Sequence, residues 1–298
     1  MPEIADARDA LLRKPPDAAR PVLLAGPTAS GKSALALALA QAQGRVVVNA
    51  DALQVYEMWQ VLTARPDATD CARAPHLLYG GVAAGQDWSV GHWLRAMRDV
   101  LAAHPNPVIV GGTGLYFRAL TEGLAEIPAT PPTIRAEGDR LLAQAGLDAL
   151  LATLDKDTAR RIDTQNPARV QRAWEVQRAT GQGLAAWQDT TPPPLLPIEK
   201  TSAFVMLPQP DWSADRIATR FDSMIAQGAL DEARAALPYW NPRAPWAKAI
   251  GAPELIAHLQ GHMSLPDAVA AATLATRQYA KRQRTWFRAR MSGWARLL

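Results

Sequence analysis

Apolar residues fall along this chain in two alternating kinds of run. "RPVLLAG" (Arg20 to Gly26), "RVVVNAD" (Arg45 to Asp51) and "NPVIVGGTG" (Asn106 to Gly114) are short and nearly uninterrupted. Such runs predict strands buried on both faces, as in a parallel sheet. Between the first two lies "KSALALALAQAQG", rich in alanine and leucine and closed by Gly44, which predicts a crossover helix. After residue 200, "FVMLPQP" (Phe204 to Pro210) predicts another strand, and "SADRIATRFDSMIAQG" carries Ile217, Phe221 and Met224 at helical spacing. Thr121 to Lys200 has helical patterning without strand runs and closes in the proline cluster "TTPPPLLPIEK". The pattern predicts an α/β core over residues 1–120 and 201–298, with a mainly helical insertion over 121–200 and further helices from about Asp211.

Composition narrows the classes. With 298 residues, 48% of them hydrophobic, the chain buries a sizeable core. A single cysteine, Cys71, excludes a disulfide framework and a cysteine-built zinc site, and fits a reducing cytoplasm. The start, "MPEIADARDALLRKPPDAARP", lacks the apolar core of a signal peptide, and no later segment is apolar enough to span a bilayer. A frayed lead-in and no membrane partner are expected. Net charge is only +4, but 26 of the 32 basic residues are arginine, whose planar fork suits phosphate and nucleic acid. A GC-rich genome produces the same bias, so position decides.

Gly26-Pro27-Thr28-Ala29-Ser30-Gly31-Lys32-Ser33 satisfies G-x-x-x-x-G-K-[ST] between a predicted strand and a predicted helix. Glycines let successive N–H groups face one anion, the helix start adds its dipole, Lys32 adds charge, and the Ser33 hydroxyl can bind Mg²⁺. The fold expected is therefore a P-loop NTPase-like parallel sheet flanked by helices. Most such enzymes hold the metal with an aspartate at a strand end. "PVIVGGTG" ends without one. The nearby strand-terminal carboxylate is Asp51, either a cap for a following helix or a general base at the ligand-binding edge of the sheet.

"AGPTASGKSALALALA", "NADALQVY", "VGGTGLYFRAL" and "TRQYAKRQRTWFR", in this order, resemble the bacterial tRNA dimethylallyltransferases, over nearly the whole chain. The resemblance implies transfer of a dimethylallyl group from dimethylallyl diphosphate to N6 of the adenosine 3′ of the anticodon, adenosine 37. The loop would then hold a diphosphate that leaves. Thr28 to Ser33 match the family's substrate-binding segment, with Ser33 for a commoner threonine. By the same resemblance Asp51 is the base, Asp51, Ala52, Leu53 and Gln54 meet the target nucleoside, and Thr113 lies near the reacting adenine, a plain turn residue being its alternative. Arg216 and Arg220 lie one helical turn apart, and an arginine of this segment binds the diphosphate; which of the two stays open. Arg135, the run Ala168, Arg169, Val170, Gln171 and Arg172, then Lys248 and Gly251, and finally Lys281, Arg282, Arg284 and Arg288, match positions near tRNA. The expected partners are thus the tRNA anticodon stem-loop and dimethylallyl diphosphate, with Mg²⁺ as cofactor and a monomer in the cytoplasm.

The last group also has a physical case of its own. Arg277, Lys281, Arg284 and Arg288 share one helical face, and no acidic residue follows Asp267, although a charged stripe also serves as a solvated surface. A target base in a stacked loop must be extruded, and Trp59, Trp88, Trp93, Trp174 and Trp187 are available to line its route, with core packing as their ordinary role. Two departures from the family pattern stand out. Glu57, Met58 and Trp59 follow Tyr56 where glycine is usual, and Ala252 and Pro253 replace an aromatic and a basic residue in "IGAP". Three rivals remain: a P-loop small-molecule kinase, an adenylate isopentenyltransferase acting on free nucleotides, and a nucleotide-gated RNA-binding protein without chemistry.

Overall fold

The computed structural model describes residues 9–297, apart from the side chain of Asp211. The first eight residues of the expected lead-in lie outside them. Residues 9–13 form a helical turn whose Leu11 enters the core, so this part of the lead-in packs where fraying was expected.

Among the described residues six strands form one parallel sheet: β1 (Val22–Ala25), β2 (Val47–Asn49), β3 (His76–Leu77), β4 (Val108–Gly111), β5 (Ser202–Val205) and β6 (Ala295–Arg296), in the order β3-β2-β4-β1-β5-β6. The three apolar runs form β1, β2 and β4, all fully buried. β5 begins two residues earlier than expected from the run at Phe204, because its pairing with β1 aligns Val22 with Ser202 and Ala25 with Val205. Met206 N still donates to the Ala25 carbonyl at 2.8 Å, and the chain then leaves the ladder ahead of Pro208. β3 and β6 have two residues each and no buried run, so periodicity gives them no signal.

Helix α1 (Lys32–Gln43) crosses from β1 to β2 and buries Leu35, Leu37 and Leu39 against the sheet. Gly44 closes it in the left-handed conformation, φ 63°, as its sequence position demands. Short α2 (Ala68–Arg73), amphipathic α3 (Val90–Ala103) and α4 (Gly114–Glu122) follow.

By its contacts the chain divides into two units, Met1–Thr121 with Leu196–Leu298, and Glu122–Leu195. The smaller unit contains α5 (Pro132–Leu151), α6 (Lys156–Arg161), α7 (Pro167–Thr180) and α8 (Leu184–Asp189), built on Leu150, Val170 and Trp174. The larger unit adds α9 (Pro210–Ala226), α10 (Ala229–Ala236), α11 (Ala252–Leu259) and the long α12 (Leu265–Arg290). These helices share a second core with residues 55–64, centred on Trp59 and Trp246. Glu232 of α10 fastens that segment, accepting the N–H groups of Gln60, Val61 and Leu62 at 2.7–2.9 Å.

Sheet register puts the functional loops at one edge. Ala25 pairs with Gly111 on one side and Val205 on the other, so β1, β4 and β5 end level. Gly111 has no room for a side chain: a Cβ would lie 2.1 Å from the Ala50 carbonyl carbon and oxygen. Gly111→Ala is expected to destabilise the protein by about 1–3 kcal/mol, measured by urea unfolding. An unchanged midpoint would refute this backbone contact.

Candidate active site

The chain turns through Gly26 to Gly31 before α1 begins at Lys32. Gly31 adopts φ 85° freely, but Ala29 at φ 60° carries a Cβ in the left-handed region, which costs roughly 1–2 kcal/mol. Its neighbours hold it there: Ala29 packs with Ile217 and Ala280, and its carbonyl accepts from Arg216 Nε at 3.2 Å. The N-terminus of α1 has no side-chain cap and no acid in its first turn. Its orphan N–H groups and dipole therefore favour an exogenous anion. Ser30 is fully buried, and its hydroxyl has no hydrogen-bond partner among the protein atoms. The Lys32 ammonium donates to the Pro27 carbonyl at 3.1 Å. Burial brings its pKa down to about 8; the charge of Asp51 opposes that fall and that of Arg220 adds to it.

Asp51 owes its place to Asn49, buried at the end of β2. The Asn49 amide accepts from Asp51 N at 2.7 Å and donates to the carbonyls of Asp51 and Leu78 at 3.0 Å. Asp51 Oδ1 then accepts from Leu53 N at 3.0 Å, capping a turn where a helix cap was the alternative. Oδ2 lies beside Gly112, where a Cβ would come within 3.2 Å of it. Thr113 Oγ1 accepts from Ala52 N at 2.9 Å, so the expected nucleoside segment and the "GGTG" turn are bonded together.

Loop and carboxylate meet in a cavity of about 80 Å³, lined by Thr28, Asp51, Leu53, Gln54, Arg220, Thr276 and Tyr279 with an apolar wall of Leu62, Ile217, Phe221, Met224 and Ile250. Burial, and then the Asp51 charge, raise the Tyr279 phenol far above its ordinary range, so it stays protonated. The two arginines separate here. Arg220 lines the cavity, whereas Arg216 braces the loop at Ala29 and lies over the Trp212 ring.

Other expected residues take mixed places. The Gln54 amide nitrogen is engaged by the carbonyls of Thr63 and Ala64, which removes it as a donor to a nucleoside. Val170 is wholly buried in the smaller unit, so its side chain packs a core and offers no surface to RNA. Ala168 and Arg169 are exposed beside it. Arg135 and Arg172 converge on the buried carboxylate of Glu175 at 4.0 and 3.9 Å, and Gln171 donates to Glu175 at 3.1 Å. Lys248 is exposed, while Gly251, φ 95°, is a packing position where a Cβ would meet Phe221 and Leu62. Arg277, Lys281, Arg282 and Arg288 are exposed on α12 and Arg284 is half-buried. Trp59 and Trp93 are core residues with their indole N–H groups bonded to the carbonyls of Trp246 and Asn49. Sequence reasoning missed Glu175, Glu232, Tyr279 and Gln283; the partners of Glu232 and Gln283 lie far along the chain.

Fold and site define a P-loop α/β protein whose anion-binding loop lies near a single strand-end carboxylate and an apolar wall. A family model described as IPP transferase matches residues 54–290, and one described as isopentenyl transferase matches 20–75. A protein of a Cereibacter sphaeroides strain named tRNA dimethylallyltransferase is 65% identical over 92% of this chain and 88% of its own length. A Dinoroseobacter shibae protein of the same name is 62% identical over 92% and 93%. Among solved structures, a tRNA isopentenylpyrophosphate transferase from Bacillus halodurans has TM-score 0.63 at 28% identity, covering 94% of this chain and 90% of that one. A eukaryotic dimethylallyltransferase acting on tRNA shares the fold, with TM-score 0.75 at 24% identity over 90% and 69%. The chain belongs to the IPP transferase family and is a prenyl transferase.

Because the charged form of Lys32 attracts the anion, inorganic diphosphate should bind more weakly as pH rises through 8. Calorimetry is expected to show roughly tenfold weakening between pH 7 and 9, with that step absent in Lys32→Ala. Equal pH profiles for the two proteins would remove Lys32 from the site.

Proposed function

We propose that the protein transfers a dimethylallyl group from dimethylallyl diphosphate to N6 of adenosine 37 in tRNA, releasing diphosphate. One observation carries the reading: Thr28 of the loop, Arg220, Asp51 and the apolar wall line one cavity. A hydrolase or kinase of polar substrates gains nothing from the wall, whereas a five-carbon allyl group fits it. The level end of β4 also lacks the second carboxylate that a phosphoryl-transfer site needs.

In this mechanism N6 bonds to C1 of the allyl group as the C1–O bond breaks, and the electron pair leaves with the diphosphate. Lys32, Arg220 and the orphan N–H groups of α1 hold the charge that develops on the departing oxygen. The adenine amine is a poor nucleophile because its lone pair is delocalised, and the proton it sheds passes to Asp51, whose Oδ2 is the oxygen not bound to Leu53. Thr113 holds the Asp51 segment in register through Ala52.

The donor set suits a hard divalent ion. The Ser33 hydroxyl is exposed in the first turn of α1, and among the described residues no three His, Cys, Asp or Glu side chains cluster as a metal cage. Mg²⁺ is commonly held this sparsely, with substrate oxygens and water completing its shell. Ser33 would hold it, and when bound it supplies further neutralisation of the leaving diphosphate.

For the RNA, the supports are the exposed α12 stripe in one unit and the Arg135–Arg172 patch in the other. No described helix is long and apolar enough to cross a membrane. We read the protein as a monomer working in the cytoplasm, where tRNA is found.

A transfer assay with labelled dimethylallyl diphosphate and tRNA, AMP or ATP tests the reading: label at N6 of adenosine 37 is expected, and label in the free nucleotide would overturn it. Asp51→Asn is expected to keep diphosphate affinity and lose ~10²–10⁴-fold in rate; unchanged turnover would remove the base. Replacing Lys281, Arg284 and Arg288 together by glutamine should reduce the slope of log affinity for tRNA against log salt by roughly 2–3. An unaltered slope would make the stripe a solvated face.

A further inference from the structure

Gln283 is buried on the face of α12 opposite to the exposed cations, and its single amide group reaches two loops of the site. Its Oε1 accepts from Thr28 N at 2.9 Å, and its Nε2 donates to the Gly112 carbonyl at 2.9 Å. Tyr279, one turn earlier on α12, lines the cavity. Gly112 is bare because the amide needs the space: a Cβ there would fall 2.4 Å from Nε2, with Asp51 Oδ2 at 3.2 Å. A packing residue would not require an acceptor on one loop and a donor on the other. An amide satisfies both at once, as a protonated carboxyl of the same length would.

We propose that Gln283 is a positioning residue for the transfer step, fixing the spacing between the diphosphate loop at Thr28 and the Gly112–Thr113 turn that faces Asp51. Leaving group and base are thereby held at the separation at which N6 and C1 come within bonding reach. Near-attack geometry is sensitive to displacements of about 1 Å, at a penalty on the order of 10²-fold in rate. The inference rests on the transfer reaction proposed above, so the unaltered enzyme is assayed beside the variants. If it fails to transfer, the functional reading falls and not this one.

Two variants separate positioning from structure. Gln283→Ala is expected to lose roughly 10–100-fold in kcat, with KM for tRNA within about twofold, because the cationic stripe is untouched. Gln283→Glu places an ionised oxygen against the Gly112 carbonyl and should be as slow at pH 8. On protonation its carboxyl donates to Gly112 and accepts from Thr28 as the amide does, so its rate relative to the unaltered enzyme should climb as pH falls towards 6. The other charged or titratable groups around it, Asp51, Lys32, Arg216, Arg220 and Tyr279, are common to both proteins and cancel in that ratio. A kcat within twofold for the alanine variant, or a flat ratio for the glutamate variant, would overturn the proposal.

Discussion

The ladder that pairs Ala25 with Gly111 and with Val205 brings three strands to the same edge of the sheet, and each then releases a loop. The first loop wraps the anion, the second carries Gly112 and Thr113, and the third passes behind the first at Met206. Such an edge is where open α/β sheets bind ligands, since helix starts and strand ends face the same crevice. Close contact between β4 and the β2 end keeps the spacing, with Gly111 pressed on the Ala50 carbonyl. A one-residue slip in the β1–β4 or β4–β2 pairing would separate Asp51 from Lys32.

Electrostatics explains why one carboxylate is enough. Lys32 and Arg220 are both desolvated; the charge of Arg220 lowers Lys32 and that of Arg216 lowers Arg220, while Asp51 favours the charged form of each. In the proposed reaction an incoming diphosphate would relieve the repulsion and take over the neutralising role, leaving Asp51 to face the nucleophile. The phenols of Tyr79 and Tyr279, kept neutral by burial and by the same carboxylate, add polarity without competing charge.

Much of this was legible in the sequence because it is local. The loop motif, the crossover helix with its Gly44 cap, and the helical repeat of Ile217, Phe221 and Met224 each depend on residues within a few positions of one another. β3 and β6 were not legible, since two-residue strands carry no period. Gln283 lay inside a quoted motif, yet nothing nearby reveals that it is buried; its partners Thr28 and Gly112 are 255 and 171 positions away. Val170 and Gln54 show the opposite error. Both sit in segments that match the family near RNA, but one is core and the other has its amide nitrogen committed to loop carbonyls.

The anion loop occupies residues 26–33, whereas the helix that braces it is the last long one to be made. Ala280 packs on Ala29 and Gln283 ties down Thr28, so the left-handed turn in the loop has only Arg216 and Ile217 of α9 behind it until α12 has left the ribosome. During synthesis the diphosphate cradle therefore stays unfinished. A polypeptide interrupted before residue 265 carries the complete loop motif but neither Ala280 nor Gln283 to steady it.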